Sequence, residues 1–372
     1  MAAVKPADPV AEAPAAQEKA SVTIKTPFRA PAAIAAKVPP PVELTAEEKT
    51  KYDWLLERAR AFKEITVRAD AKDPKVPSGP ITDDERMWLT RECLIRYLRA
   101  TRFDEKETEK RLLQTLAWRR EFGTEGLTAD YISPENETGK QSLVGFDETG
   151  RPLHYLEPGK QNTEASHRQV EHLVFMVERV IELMPPGQEK LALLINFKQS
   201  KTRKYTAPGM GMAREVLNIL QMHYPERLGR ALIINVPWVV WGFFKLITPF
   251  LDARTVDKLR FNEDMTQYIS PDQLSSDFQP QGALKFEYDH AEYWPALNKL
   301  CDEVRAERKA RWVAGGKLVG ESEIYLFGGA EAGIGAAAPA AEVKPEDLKV
   351  GELKIEEAKG EEPKAEEAKT AA

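Results

Sequence analysis

Apolar positions recur along this chain at two different periods, and the change of period falls near Tyr131. Upstream the spacing is helical. Thr45-Ala-Glu-Glu48 and Thr82-Asp-Asp-Glu85 each read as a capping box opening a helix. Leu94, Tyr97 and Leu98 then fall at i, i+3 and i+4 on one face, and Asp104 stands as the cap of a third helix carrying Leu112, Leu113 and Leu116. The string KDPKVPSGP separates the first two helices as a loop. Residues 45–125 are therefore expected to form a helical lobe.

Downstream, strands enter. KQSLVGFDETGRPLHYLE predicts two strands joined by a turn at Asp147-Glu-Thr-Gly150. Ser166-x-x-Gln169 is expected to cap a helix with Leu173, Val177, Val180, Ile181 and Met184 on one side. KLALLINF (190–197) and ALIINV (231–236) are uninterrupted apolar runs of strand length, the mark of strands buried on both faces. Between them Ala213, Val216, Leu217 and Leu220 keep helical spacing. A strand–helix–strand order implies a parallel crossover. LRFN (259–262) and ALKFEY (283–288) are candidate edge strands.

The longest apolar stretch, VPWVVWGFFKLITPFLDARTVDK (236–258), has to be tested as a membrane span. Pro237 and Pro249 confine any helix to Trp238–Thr248, about 16 Å of rise against a hydrocarbon core of about 30 Å. Lys245 adds roughly 3 kcal/mol at bilayer depth. A span is rejected. A buried core helix, or a helix that can meet lipid with its apolar face, remains.

Composition narrows the function. Among 372 residues, 53 Lys+Arg face 59 Asp+Glu, a net charge of -6 that gives no basic footprint for nucleic acid. Cys93 and Cys301 are far apart and outside any CxxC or Cys/His spacing, which fits a reduced, cytoplasmic setting with neither disulfide nor zinc. The five histidines make no metal motif, and no GxSxG elbow, phosphate-binding loop or supported nucleophile is present, so no catalytic residue is named. Residues 1–44, rich in Ala and Pro, are expected to be a disordered tail without a secretory signal. Residues 315–372, where lysine recurs every five positions from Lys344, are expected to be a second disordered tail, with the loose Gly333-Ile-Gly335 run a flexible linker.

Two further stretches carry the functional reading: His223-Tyr-Pro-Glu-Arg-Leu-Gly229 before ALIINV, and Pro249-Phe-Leu-Asp-Ala-Arg-Thr-Val-Asp-Lys258 after the apolar run. With LIRYLRATRFD (94–104) and WRREFG (118–123), they resemble the CRAL-TRIO, or Sec14-like, lipid-transfer family over roughly residues 80–295. GFDETGRPLHYLEPGKQNTE and INVPW are similar to its fungal phosphatidylinositol transfer branch linked to azole tolerance. The resemblance implies an α/β fold: a CRAL-TRIO N-terminal helical lobe (45–125), a lipid-binding lobe (130–295) with a mixed, partly parallel sheet, and a C-terminal helix (296–314). It implies an apolar gate helix containing Trp238, Trp241, Phe243, Phe244, Leu246 and Ile247. Two acyl chains hold about 30 methylenes, so exposing them costs on the order of 20 kcal/mol, and a carrier must wall them off yet open at a membrane.

The resemblance further implies that Glu226, Thr255 and Lys258 bind an inositol phosphate head group. That role suits their chemistry: an acceptor for inositol hydroxyls, a short donor and a point charge for phosphate. Asp252 can cap the helix presenting Thr255 and Lys258, which are three positions apart. Arg99 and Arg102 are further candidates, although Thr101 stands where relatives commonly carry a second basic residue. The implied function is a non-enzymatic carrier of phosphatidylinositol and a second apolar lipid, either a sterol or phosphatidylcholine, working in the cytoplasm with transient visits to internal membranes such as endoplasmic reticulum and lipid droplets. The alternative is a lipid-gated regulator that presents its ligand to a lipid-metabolising enzyme. His223 and Tyr224 suit either the site or the core, and Lys198, Lys201, Arg203 and Lys204 suit either a solvated loop or an anionic membrane.

Overall fold

A computed structural model describes residues 23–68, 76–198, 209–238, 241–242 and 253–335. In chain order its helices are α1 (Ala32–Ala35), α2 (Ala46–Arg60), α3 (Asp83–Trp88), α4 (Arg91–Ala100), α5 (Glu105–Phe122), α6 (Ala129–Asn136), α7 (Arg168–Glu182), α8 (Met210–His223), α9 (Ala253–Val256), α10 (His290–Ala314) and α11 (Glu323–Leu326). The strands are β1 (Glu64–Thr66), β2 (Ser78–Pro80), β3 (Gln141–Phe146), β4 (Pro152–Leu156), β5 (Leu191–Asn196), β6 (Leu228–Ile234) and β7 (Leu259–Phe261).

Both capping boxes form: Glu48 N–H donates to Thr45 Oγ1 at 3.3 Å and Glu85 N–H to Thr82 Oγ1 at 3.2 Å, each answered by the glutamate's carboxylate. Asp104 accepts from Glu107 N–H at 2.9 Å and starts α5. The helical lobe closes on Leu55, Leu94, Leu98, Leu112 and Leu116, all fully buried, with the small β1–β2 ladder on its flank. The expected cap at Ser166 is not made. The N-cap of α7 is His167, whose side chain makes no cap bond, and Gln169 turns back to Glu164 O at 2.9 Å.

The second lobe is a five-stranded sheet in the order β3-β4-β5-β6-β7. β3 and β4 form the expected antiparallel hairpin, whose turn is locked by Asp147 Oδ1 accepting from Thr149 and Arg151 N–H. β4, β5, β6 and β7 are mutually parallel. On one face Tyr155, Ala192, Leu194 and Leu232 are sealed by the segment carrying Leu274 and Phe278. The lobes meet where Trp118 of α5 packs on Val170, Val174, Ile219 and Tyr224.

Three expectations fail at the edges of the fold. Residues 283–288 do alternate, burying Leu284 and Phe286, but they join no sheet strand; their backbone partners are the segment at Ser275, through Ser276 N–H to Leu284 O at 3.0 Å, and the N-terminal segment, through Ile24 N–H to Lys285 O at 2.7 Å and Glu287 N–H to Ile24 O at 3.0 Å. That pairing overturns disorder for residues 23–44. Phe28 stands edge-on to Phe146, Ile34 is buried, and Arg29 grips Glu307 at 2.7 and 2.9 Å. Residues 315–335 were also expected to be disordered. Instead they fold back on the helical lobe: Val319 and Leu326 are buried, Gly320 N–H donates to Leu89 O at 2.8 Å, and Ile334 N–H in the supposed linker donates to Glu321 at 3.1 Å.

Candidate functional site

Parallel register puts Leu193, Ile195, Ala231, Ile233, Leu259 and Phe261 on one face of β5–β7, opposite the sealed face. Leu193, Ile195 and Phe261 are only half-buried. Trp241 lies on this face with its ring 4.6 Å from that of Phe261, while Trp238 is 84% exposed. The start of the expected gate helix thus borders an apolar, incompletely covered sheet face. Phe243, Phe244, Leu246, Ile247 and Asp252 lie outside the described residues, as do Lys201, Arg203 and Lys204. A groove of about 420 Å³ lies elsewhere, on the helical lobe, bordered by Arg68, Lys106 and Lys110. Its charged walls do not suit acyl chains.

The candidate head-group residues come from chain segments that the sheet brings side by side. Glu226 sits in the turn before β6 with φ +60°, a left-handed conformation that costs a non-glycine residue on the order of 1 kcal/mol and needs support. Thr255 lies in α9, and Lys258 follows it, its N–H donating to Thr255 O at 3.1 Å. Lys258 O in turn accepts from Ala231 N–H at 2.9 Å, so β6 and the residue before β7 are tied together. Arg99, in the last turn of α4, reaches Glu189 at 3.4 Å. Arg102 is exposed on the turn after α4, with φ +55°.

Residues the sequence did not single out support this neighbourhood. Arg227 donates to Glu189 O at 3.0 Å and accepts Leu191 N–H at its own carbonyl at 2.9 Å, fixing the turn that carries Glu226. Glu323 of α11 closes the cluster. Its carboxylate accepts from Arg96 at 2.8 and 3.0 Å and from Thr90 Oγ1 at 2.8 Å, and lies 3.8 Å from Arg227. Arg96 also bonds Glu189 at 2.8 Å. Burial alone would raise the Glu323 carboxyl; Arg96 and Arg227 outweigh it and hold the group well below the usual carboxylate range. Burial and nearby Arg96 lower Arg227. The pair Glu-Arg in YPERLG marks Arg227 in hindsight, but nothing local in the sequence points to Glu323.

His223 and Tyr224 belong to the seam between lobes. The His223 ring stacks on Trp118 at 4.1 Å with its Nδ1 3.0 Å from Thr115 Oγ1, and Tyr224 donates to Glu178 at 2.6 Å. Among the described residues no group of acids, histidines or cysteines could hold a metal, and no helix is long and apolar enough to cross a membrane.

Comparison with known proteins gives concordant matches. The CRAL/TRIO domain matches residues 136–279, and the CRAL/TRIO N-terminal domain matches residues 51–114. A CRAL-TRIO domain-containing protein of Schizosaccharomyces pombe is 48% identical over 309 residues, 83% of this chain and 30% of that protein. Phosphatidylinositol transfer protein PDR17 of Saccharomyces cerevisiae is 45% identical over 256 residues, covering 66% of this chain and 72% of that one. The SEC14 cytosolic factor of Kluyveromyces lactis is 27% identical over 213 residues, 51% of this chain and 71% of its own length.

Proposed function

The chain belongs to the CRAL-TRIO family of Sec14-like proteins, and on that premise we propose that it carries phosphatidylinositol, with a second apolar lipid exchanged in the same cavity, between membranes. The observation that carries this reading is the half-covered apolar face of β5–β7, with Trp241 packed on Phe261, ending at the strands that Glu226 and Lys258 precede. Acyl chains lie against that face, out of water. The head group stays at the strand ends, where Lys258 pairs with the phosphate, Thr255 donates to it and Glu226 accepts from inositol hydroxyls. Glu226 holds a left-handed backbone, φ +60°, in the turn directly before β6, a strained conformation of the kind that collects at ligand sites.

Transfer then needs no covalent step. Trp238 and its neighbours enter the bilayer surface, the apolar face opens, and one lipid replaces another. The carrier works from the cytoplasm, docking transiently on internal membranes. The budding-yeast relative is a phosphatidylinositol transfer protein by name, and its 45% identity runs over 256 residues.

The test is native mass spectrometry with lipid extraction on wild-type protein and Lys258→Ala purified from a eukaryotic host. Phosphatidylinositol is expected on the wild type and absent from Lys258→Ala, which keeps the second lipid. A wild type that stays empty after incubation with mixed liposomes overturns the proposal, and equal loss of both lipids from the variant overturns the head-group assignment.

A further inference from the structure

A second cluster of cations lies on the sheet, outside the residues assigned to the head group. Arg151 precedes β4, Arg230 is in β6 and Arg260 in β7. The backbone makes room for the first. Gly229 is the extra residue of a bulge, where Leu191 pairs with Leu228 and Ala192 with Arg230, and a Cβ there would stand 2.6 Å from Arg151 Nε. Arg151 therefore lies across β6, and both it and Arg260 act electrostatically on Arg230.

The acids nearby do not balance the cluster. Asp147 takes Arg151 Nη1 at 3.3 Å, but its other oxygen is committed to the hairpin turn, accepting from Thr149 and Arg151 N–H. Glu263 accepts from Tyr268 Oη at 2.5 Å and stands 3.8 Å from Arg260. Arg260 spends Nη1 on the carbonyls of Asp257 and Leu259. Arg151 Nε is buried without an acceptor. Arg230 has none among the described residues; its guanidinium carbon stands over the Tyr268 ring, 3.8 Å from the centroid. Burial, then Arg151, holds Arg230 below its ordinary value. Three like charges and a stacked, unspent fork of donors are what a tetrahedral oxyanion completes, because it pairs the charges and accepts the open N–H groups together.

We propose that Arg151, Arg230 and Arg260 form a binding site for a phosphate-type oxyanion, with the ring-stacked Arg230 as its main donor. Ala231, next to Arg230, bonds Lys258 O, so the site borders the head-group candidates without including them. A phosphomonoester on a lipid head group and a free phosphate share the chemistry it reads.

The experiment uses the full chain, as wild type, Arg230→Gln and Arg230→Lys. Each is titrated with phosphatidylcholine vesicles containing either phosphatidylinositol 4-phosphate or enough phosphatidylserine to match its charge, and separately with inorganic phosphate and pyrophosphate by calorimetry. A wild-type preference for the phosphorylated lipid, about tenfold or more weaker in Arg230→Gln and not restored by lysine, supports the site with a lipid source. Pyrophosphate binding lost in Arg230→Gln, without vesicle preference, supports it with a soluble source. Arg260→Gln substitutes if Arg230→Gln does not melt cooperatively. A wild type that binds neither phosphate nor phosphorylated vesicles in preference, or variants that bind as the wild type does, overturns the proposal. Phosphatidylinositol content is expected to be unchanged in Arg230→Gln, which separates this result from the fate of the carrier reading.

Discussion

Glu323 closes on Arg96 with hydrogen bonds of 2.8 and 3.0 Å, across 227 positions of sequence and in a seam where both side chains are less than a tenth exposed. The pair ties α11 to α4, and through Glu189 and Arg227 it reaches the turn that carries Glu226. Glu92 completes it, accepting Glu323 N–H at 2.7 Å, with its own carboxyl raised by burial and then by Glu323.

Removing one partner of a buried ion pair leaves the other charge stranded, which costs on the order of 3–5 kcal/mol. Glu323→Ala is therefore expected to lower unfolding free energy by about that much. Asp53→Ala, which breaks an exposed i,i+4 pair with Lys49, should cost less than about 0.5 kcal/mol. Urea denaturation decides. Equal midpoints for the two variants would show that the C-terminal segment does not bear on the fold.

Buried neutral histidines set the acid limit of stability. His154 Nε2–H donates to Gln141 Oε1 at 2.8 Å, and burial lowers its pKa to about 3. Burial, then Arg111 and Arg119, lowers His223 to about 3 as well. Between the ordinary histidine value of about 6.5 and about 3, the unfolded chain binds protons that the folded chain refuses, so stability falls as pH falls through that window. Each histidine contributes a slope of about 1.4 kcal/mol per pH unit. Glu178, which burial would raise but Arg119 holds at about 2, adds a loss only below the ordinary carboxylate value. The acid limb should thus begin near pH 6.5. Urea melts at several pH values for wild type and His154→Gln test it: the variant's slope should be shallower by about one proton, and an unchanged slope would remove His154 from the account.

What the sequence disclosed was local. Thr45, Thr82 and Asp104 cap helices because their partners lie three residues on, and KLALLINF and ALIINV are strands because their apolar runs leave no polar face. The turn at Asp147–Gly150 is equally self-contained. The rest depends on distant partners. Residues 283–288 have strand alternation, but alternation does not say whether the neighbour is β3 or Ile24. Residues 315–335 carry no helical or strand period of their own, yet Val319, Glu321, Glu323 and Leu326 find sites built by α2, α4 and α10. Too few apolar residues were present to make a period. Glu226 and Lys258 are proposed from a motif, while Arg227 and Glu323, which brace the turn of Glu226, follow only from the folded geometry.

The bulge in β3 gives a sharper test of packing. Gly145 has φ +79°, and a Cβ there would lie 2.2 Å from Gln273 O, a backbone atom that cannot swing aside. Gly145→Ala carries both left-handed strain and a collision, and should cost on the order of 3 kcal/mol or abolish folding. Gly126→Ala meets nothing within 4 Å and should lie within about 0.5 kcal/mol of wild type. Soluble yield and thermal melts of the two proteins are the measurement; a Gly145→Ala protein that melts with the wild type would mean that the β3–Gln273 approach is looser than this structure has it.

Trp238 and Trp241 should separate membrane contact from stability. Trp238 is 84% exposed, whereas Trp241 rests against Phe261 at 4.6 Å. An exposed indole contributes little to the fold, but burying it in a bilayer surface is worth about 2 kcal/mol, roughly thirtyfold in vesicle affinity. Trp238→Ser is therefore expected to keep the wild-type melting temperature and lose most vesicle binding and lipid transfer. Trp241→Ser loses a ring pair worth about 1 kcal/mol and should lower the melting temperature as well. Flotation with liposomes and thermal melts read the two effects independently. If Trp238→Ser binds vesicles normally, the apolar face must be reached from another side; if it melts early, Trp238 is a packing residue and its exposure is not a docking feature.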